Sequence, residues 1–168
     1  MRSMRRQGQG LVDAGALRLD ALQARKKLLR FGRSPIHAWG VFAEEPIAAG
    51  DMVIEYRGEI IRSAVADKRE RLYTEMQVGS DYMFRVDEDT VVDATFKGSL
   101  ARFVNHSCDP NCYTQIIVVD GVKKIIIYAK RAIATGEELS YDYKFPLEEK
   151  EEERVPCHCG AAKCRGYM

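Results

Sequence analysis

The chain has 168 residues, enough for one domain with a flank or tail and a core of its own. Apolar residues make up 46% and charged residues 30%, an ordinary globular balance, and the formal net charge of +1 supplies no whole-molecule field to recruit nucleic acid. No apolar run approaches the roughly 18 residues that a membrane span needs. The opening MRSMRRQGQG carries charge with no apolar stretch after it, so it does not read as a secretory signal, and an intracellular protein is expected.

Residues 1–10 hold Arg2, Arg5 and Arg6 among Gly and Gln without a period and are expected to be irregular. From Leu17 to Leu29 the spacing of Leu19, Leu22 and Leu29 predicts a helix. Its basic end, Ala24–Arg30, reads as a solvated helix end or as a nuclear-import signal. From Ile36 onward short apolar runs alternate with turn residues, and Val41–Ala43, Met52–Tyr56, Tyr82–Val86, Val91–Ala94, Gln115–Val119 and Lys124–Lys130 are predicted strands. Ser63 is a candidate N-cap for one helix, with Val65, Arg69, Leu72, Tyr73 and Met76 expected along one face. Asp120-Gly121 between two β-branched runs signals a type I′ hairpin. The acidic run Glu148–Glu153 reads as a solvated linker, or as an attractor of basic peptide. There is no internal repeat, and no G-x-G-x-x-G follows a strand, which excludes a Rossmann-type nucleotide site.

Five cysteines are present, three of them within the last stretch as Cys157-x-Cys159-x4-Cys164. An odd count with that clustering argues for metal rather than a disulfide framework. Zinc in a closed structural site takes four ligands, so one must come from elsewhere. Cys108 and Cys112 in NHSCDPNC are the leading candidates, with His158 and His106 behind them. In the same stretch Asn105 and His106 precede a turn at Asp109-Pro110, and read either as turn-stabilising residues or as ligand contacts. In GEELSYDYKF, strand alternation puts Tyr141 and Tyr143 on one side and Asp142 on the other. Two phenols on one face are either ordinary core or an aromatic channel suited to an amine.

The order of these stretches resembles the SET-domain methyltransferases. HAWGVFA (residues 37–43) is similar to the first cofactor-binding motif and RFVNHSCDPNC (102–112) to the central motif. GEELSYDY (136–143) is similar to the catalytic tyrosine motif, and C-x-C-x4-C to the post-SET zinc tail. Within the family, ARKKLLRFGRSPIHAWG, IEYRGEIIR, YMFRVDEDTVVDAT and YDYKFPLEE resemble the COMPASS-type enzymes that methylate the fourth-position lysine of histone H3. RSMRR looks like the end of the flanking segment before the SET domain.

The resemblance implies a mostly β fold with short helices: several small sheets with a pseudoknot, then a zinc-binding tail. It divides the chain into a flanking segment (1–33), a SET domain (34–146) and a post-SET tail (147–168). It implies S-adenosylmethionine as co-substrate and one structural zinc held by Cys108, Cys157, Cys159 and Cys164, with Cys112 free. His37, Trp39, Tyr82, Asn105, His106 and His158 are then expected to contact the co-substrate. Tyr56 and Phe84 would line the lysine channel with Tyr141, and Tyr143 would be the catalytic tyrosine. Tyr141, where the family carries Phe or Tyr to tune product, implies a preference for monomethylation. Ala38 stands where Gly is frequent. The implied partners are a histone H3 tail and WD-repeat and other scaffold subunits, in the nucleus, with neither nucleic acid nor membrane. Two other readings share parts of this pattern: a non-catalytic zinc module that binds peptide, and a lysine methyltransferase for another protein substrate.

Overall fold

The computed structural model describes the backbone of Arg6–Gln7 and Gln9–Val12 and the whole of residues 27–168. Among the described residues two four-stranded sheets and two short two-stranded ones carry the fold. The first large sheet runs β1 (Arg6–Gln7), β7 (Met83–Arg85), β8 (Thr90–Asp93), β6 (Glu59–Arg62). The second runs β2 (Gln9–Val12), β10 (Cys112–Val119), β11 (Val122–Ala129), β5 (Met52–Tyr56). β1 and β2 join their sheets in parallel, so residues expected to be irregular supply edge strands instead. Backbone pairing to a ready edge overrides weak local propensity. The expected helix from Leu17 falls largely outside the described residues, but Leu29 itself opens strand β3 (Leu29–Arg33), which pairs antiparallel with β4 (Trp39–Ala43).

Alternation along β11 explains its run of three isoleucines. Ile125, Ile127 and Ala129 face the central core, while Ile126 turns the other way to meet Met52, Ile117 and Val119. The turn after Val119 places Asp120 and Gly121 both at positive φ, +51° and +75°, as a type I′ hairpin requires.

The one α-helix among the described residues, α1, spans Ser63–Glu75. Arg62 is its N-cap, not Ser63. The Ser63 amide is held by the Asp89 carbonyl and its hydroxyl accepts from Arg85, which draws it into the first turn. The buried face also differs from expectation: Ala66 and Tyr73 are buried, whereas Val65, Leu72 and Met76 are exposed. Polar pairing decides the facing. Arg69 and Tyr73 both donate to Asp93 at the end of β8, each at 2.7 Å.

Segment 136–141 ties the small sheets together. Its first half runs beside β4, through a bridge between Phe42 and Glu138 and a hydrogen bond from the Leu139 amide to the Val41 carbonyl. Its second half is β12 (Ser140–Tyr141), paired in parallel with β9 (Asn105–His106) across the intervening β10–β11 hairpin. That interlacing is the region where a pseudoknot is expected.

Candidate active site

The two motifs that meet at β9 and β12 hold each other by paired amides. Asn111 donates to the Glu137 carboxylate and the Glu138 carbonyl, each at 2.8 Å, and accepts from the Ser140 amide at 2.9 Å. Asn105 donates from Nδ2 to Glu138 Oε1 at 2.8 Å and to the Trp39 carbonyl at 2.9 Å. Both asparagines are buried, so these bonds are made out of water.

Tyr141 and Tyr143 point to the same side as expected, with ring centres 4.9 Å apart. They continue a row of rings: Tyr56 to Phe84 at 5.3 Å, Phe84 to Tyr141 at 6.4 Å, and Tyr143 to Phe145 at 5.3 Å. Tyr141 is fully buried and Tyr143 almost so. The Tyr143 hydroxyl donates to the Val104 carbonyl at 2.8 Å, and the Tyr56 hydroxyl to the Tyr82 carbonyl at 3.0 Å. Such a row is a low-dielectric wall with polar points, which favours a neutral amine over an ammonium ion.

His106 connects this row to the tail. Its ring is buried, Nδ1 accepts from the Tyr143 amide at 3.1 Å, and Nε2 lies 3.6 Å from Cys108 Sγ. The ring therefore braces the Tyr143 backbone against the cysteines. His37 lies on the exposed turn before β4 and Trp39 opens that strand, its side chain also exposed. The Trp39 ring stacks on Phe31 at 4.7 Å and lies under the Arg33 guanidinium at 4.1 Å. Ala38 between them takes φ +35°, which side-chain-bearing residues rarely adopt. Tyr82 is partly buried, its ring edge-on to Phe103 at 5.4 Å. His158 is exposed on the tail.

Cys108, Cys157, Cys159 and Cys164 bring their sulfurs within 4.8 Å of one another. Cys108 Sγ is 3.8 Å from that of Cys157 and 3.9 Å from that of Cys164. Zinc–thiolate bonds of about 2.3 Å in a tetrahedron require sulfur edges of about 3.8 Å, so the donor set fits zinc. Amides of Cys108, Arg165 and Gly166 point at the sulfurs of Cys159, Cys108 and Cys164, as thiolates favour. Cys159 is brought down to about 6: burial opposes this, and the amides of Cys108 and Ala161 outweigh it. Cys112 lies apart, and burial pushes its thiol up to about 12. Four sulfurs close the coordination shell, so a metal here would be structural. A second tie fastens the tail: Arg165 donates at 3.0 Å to Asp142, the residue between Tyr141 and Tyr143.

Sequence patterning did not single out Ser34, Glu138, Asn111 or Arg165. A charged residue inside a run that buries Leu139, Ser140 and Tyr141 was the available signal for Glu138.

The SET-domain family model matches residues 38–144, and the chain belongs to that family. Among curated relatives, it is 56% identical over 158 residues to the histone-lysine N-methyltransferase SETD1A of Homo sapiens, covering 94% of this chain and 9% of the relative. It is 58% identical over 157 residues to the H3 lysine-4 specific histone-lysine N-methyltransferase of Schizosaccharomyces pombe, 94% of this chain and 17% of the relative. Identity to the histone-lysine N-methyltransferase set1 of Dictyostelium discoideum is 57% over 147 residues, 88% of this chain and 10% of that protein. The chain thus spans less than a fifth of the length of these relatives.

Proposed function

We propose that this chain is the catalytic portion of a COMPASS-type histone H3 lysine-4 methyltransferase. In this reading residues 1–33 are a flank, 34–146 the SET domain and 147–168 the zinc tail. The observation that carries it is the row Tyr56–Phe84–Tyr141–Tyr143, whose last strand is braced by His106 against a four-sulfur cluster. It is supported by identities of 56–58% to enzymes named for this chemistry.

S-adenosylmethionine would supply an electrophilic sulfonium methyl; the chain supplies the surroundings for the attack. A free lysine amine titrates near 10.4 and must lose its proton before it attacks. The rings of Tyr56, Phe84 and Tyr141 exclude water from the amine and disfavour its charged form. Tyr143, with its hydroxyl oriented by Val104, marks the point to which the amine is aligned, and most of the rate comes from that alignment. His37, Trp39, Tyr82 and Asn105 would hold the methyl donor. His106 has both ring nitrogens engaged, so its backbone would make that contact, and His158 would cover the donor from the tail. Cys108, Cys157, Cys159 and Cys164 would hold one zinc and so keep the tail in place.

The substrate is a histone H3 tail, the site of action chromatin in the nucleus, and WD-repeat scaffold subunits complete the enzyme. The test is transfer of labelled methyl from S-adenosylmethionine to an H3 tail peptide, with and without scaffold subunits. A peptide with arginine at position four and the Tyr143→Phe chain serve as controls. Label on the lysine peptide alone supports the proposal. No transfer to any lysine, with scaffold present, refutes it, and equal label on the arginine peptide refutes the site.

A further inference from the structure

We infer that Glu138 is a positioning residue for co-substrate binding: its carboxylate sets both the amide orientation of Asn105 and the shape of the turn that carries His37 and leads into Trp39 at the start of β4. The inference rests on the methyltransferase reading above.

Four oxygens surround Asn105 Nδ2: Glu138 Oε1 at 2.8 Å, the Trp39 carbonyl at 2.9 Å, Ser34 Oγ at 3.1 Å and the His37 carbonyl at 3.5 Å. A side-chain amide has two protons to give, and the two shortest contacts take them. A carboxylate can only accept, so Glu138 forces the NH2 end of Asn105 toward itself and leaves Oδ1 turned away. The second proton then ties down the Trp39 carbonyl. The same carboxylate takes the Ser34 hydroxyl proton, at 2.8 and 3.0 Å to its two oxygens. That frees the Ser34 oxygen to accept the amides of Ile36 at 2.9 Å and His37 at 3.2 Å, which folds residues 34–37 into a tight turn.

Gly40 gives an independent reason to regard the carboxylate's place as built in. A Cβ on Gly40 would overlap the Glu138 carboxylate, so β4 passes close enough only because that residue lacks a side chain. The carboxylate bonds to Asn105 and Ser34, on the side of the turn that carries His37 and leads into Trp39. Its leverage is on the donor side, which predicts a split between binding and turnover.

The decisive variant is Glu138→Gln, which keeps the shape but lets either end of the new amide face Asn105. Losing an enforced charge-assisted bond should weaken S-adenosylmethionine binding and raise its KM about tenfold, with kcat at saturation close to the parent's. Trp39 is the sole tryptophan of the chain, so its emission reports the loop directly and should shift in the variant without any ligand. Ser34→Ala removes the other arm of the network and should raise KM in the same direction; it carries the test if Glu138→Gln does not fold. A variant with lowered thermal stability but parental KM and parental emission overturns the positioning role. A parent chain that neither binds S-adenosylmethionine nor transfers methyl overturns the methyltransferase reading itself, and the role of Glu138 with it.

Discussion

Asp93→Asn tests how the helix and sheet are joined. The Asp93 side chain is 1% exposed and accepts from Arg69 at 2.7 Å, Tyr73 at 2.7 Å and the Thr95 amide at 3.0 Å. Asparagine keeps an acceptor for Thr95 but turns an NH2 group toward Arg69 Nη1, a donor facing a donor. Breaking a buried pair costs about 3–5 kcal/mol. Arg69 is 28% exposed and regains some hydration, so the lower figure of about 3 kcal/mol applies. For a chain of this size that lowers Tm by about 6–12 °C. The pH dependence gives a sharper check. Burial alone would raise the Asp93 carboxyl, but Arg69, Thr95 and Tyr73 together hold it below its ordinary value of 3.8. A carboxyl depressed by folding contributes stability above its unfolded pKa and loses it as pH falls through the folded one. The gap between parent and variant should therefore be widest near neutrality and narrow below about pH 4. Melts followed by circular dichroism at several pH values read both quantities. A Tm difference under about 2 °C at neutral pH, or a gap that does not narrow in acid, refutes the reasoning.

Cys108→Ser should drop bound zinc, measured by atomic emission on the purified chain, from one equivalent to near none, while the far-ultraviolet dichroism of the β body persists. Retention of a full equivalent would place the fourth ligand elsewhere. Tyr141→Phe should raise the share of di- and trimethylated peptide in mass spectra, because the hydroxyl no longer occupies the room that extra methyl groups need; an unchanged distribution removes Tyr141 from that role. Ala38→Gly should relieve the +35° φ. Left-handed backbone costs an alanine about 1–2 kcal/mol and glycine returns part of that as chain entropy, so Tm should rise by about 1–3 °C. A fall in Tm would show that the Ala38 methyl group contributes packing.

The strands of the body were legible because β-branched runs and turn residues mark them, and Met52–Tyr56 appears with its expected bounds. The paired phenols followed from alternation and the three tail cysteines from their spacing, whereas the choice of Cys108 over Cys112 as the fourth came only from the family resemblance. The facing of α1 was not legible. Its exposed Val65, Leu72 and Met76 outrank Ala66 in apolarity, and the deciding bonds to Asp93 join residues 20 and 24 positions apart. Ser34 and Glu138 were hidden for a like reason: both stand inside quoted motifs, but they are 104 positions apart and no local pattern pairs them. Local pattern reports which side chains want burial, whereas polar networks report which distant segments the chain has closed upon.

The parallel pairing of β9 with β12 also constrains the order in which this protein assembles. The β10–β11 hairpin is local and can form within microseconds, but β9 meets β12 only after that whole excursion has closed, a contact with a high loop-entropy cost. Cys108 follows His106 by two residues, so closing β9 onto β12 also carries it toward the other three sulfurs. The tail thiols are near neighbours in the chain but make up only three of the four sulfurs, so any ion they met before closure would be held weakly. An ion bound by all four sulfurs would thereby report a finished β9–β12 pairing, and a chain stalled before closure would lose it to a competing chelator.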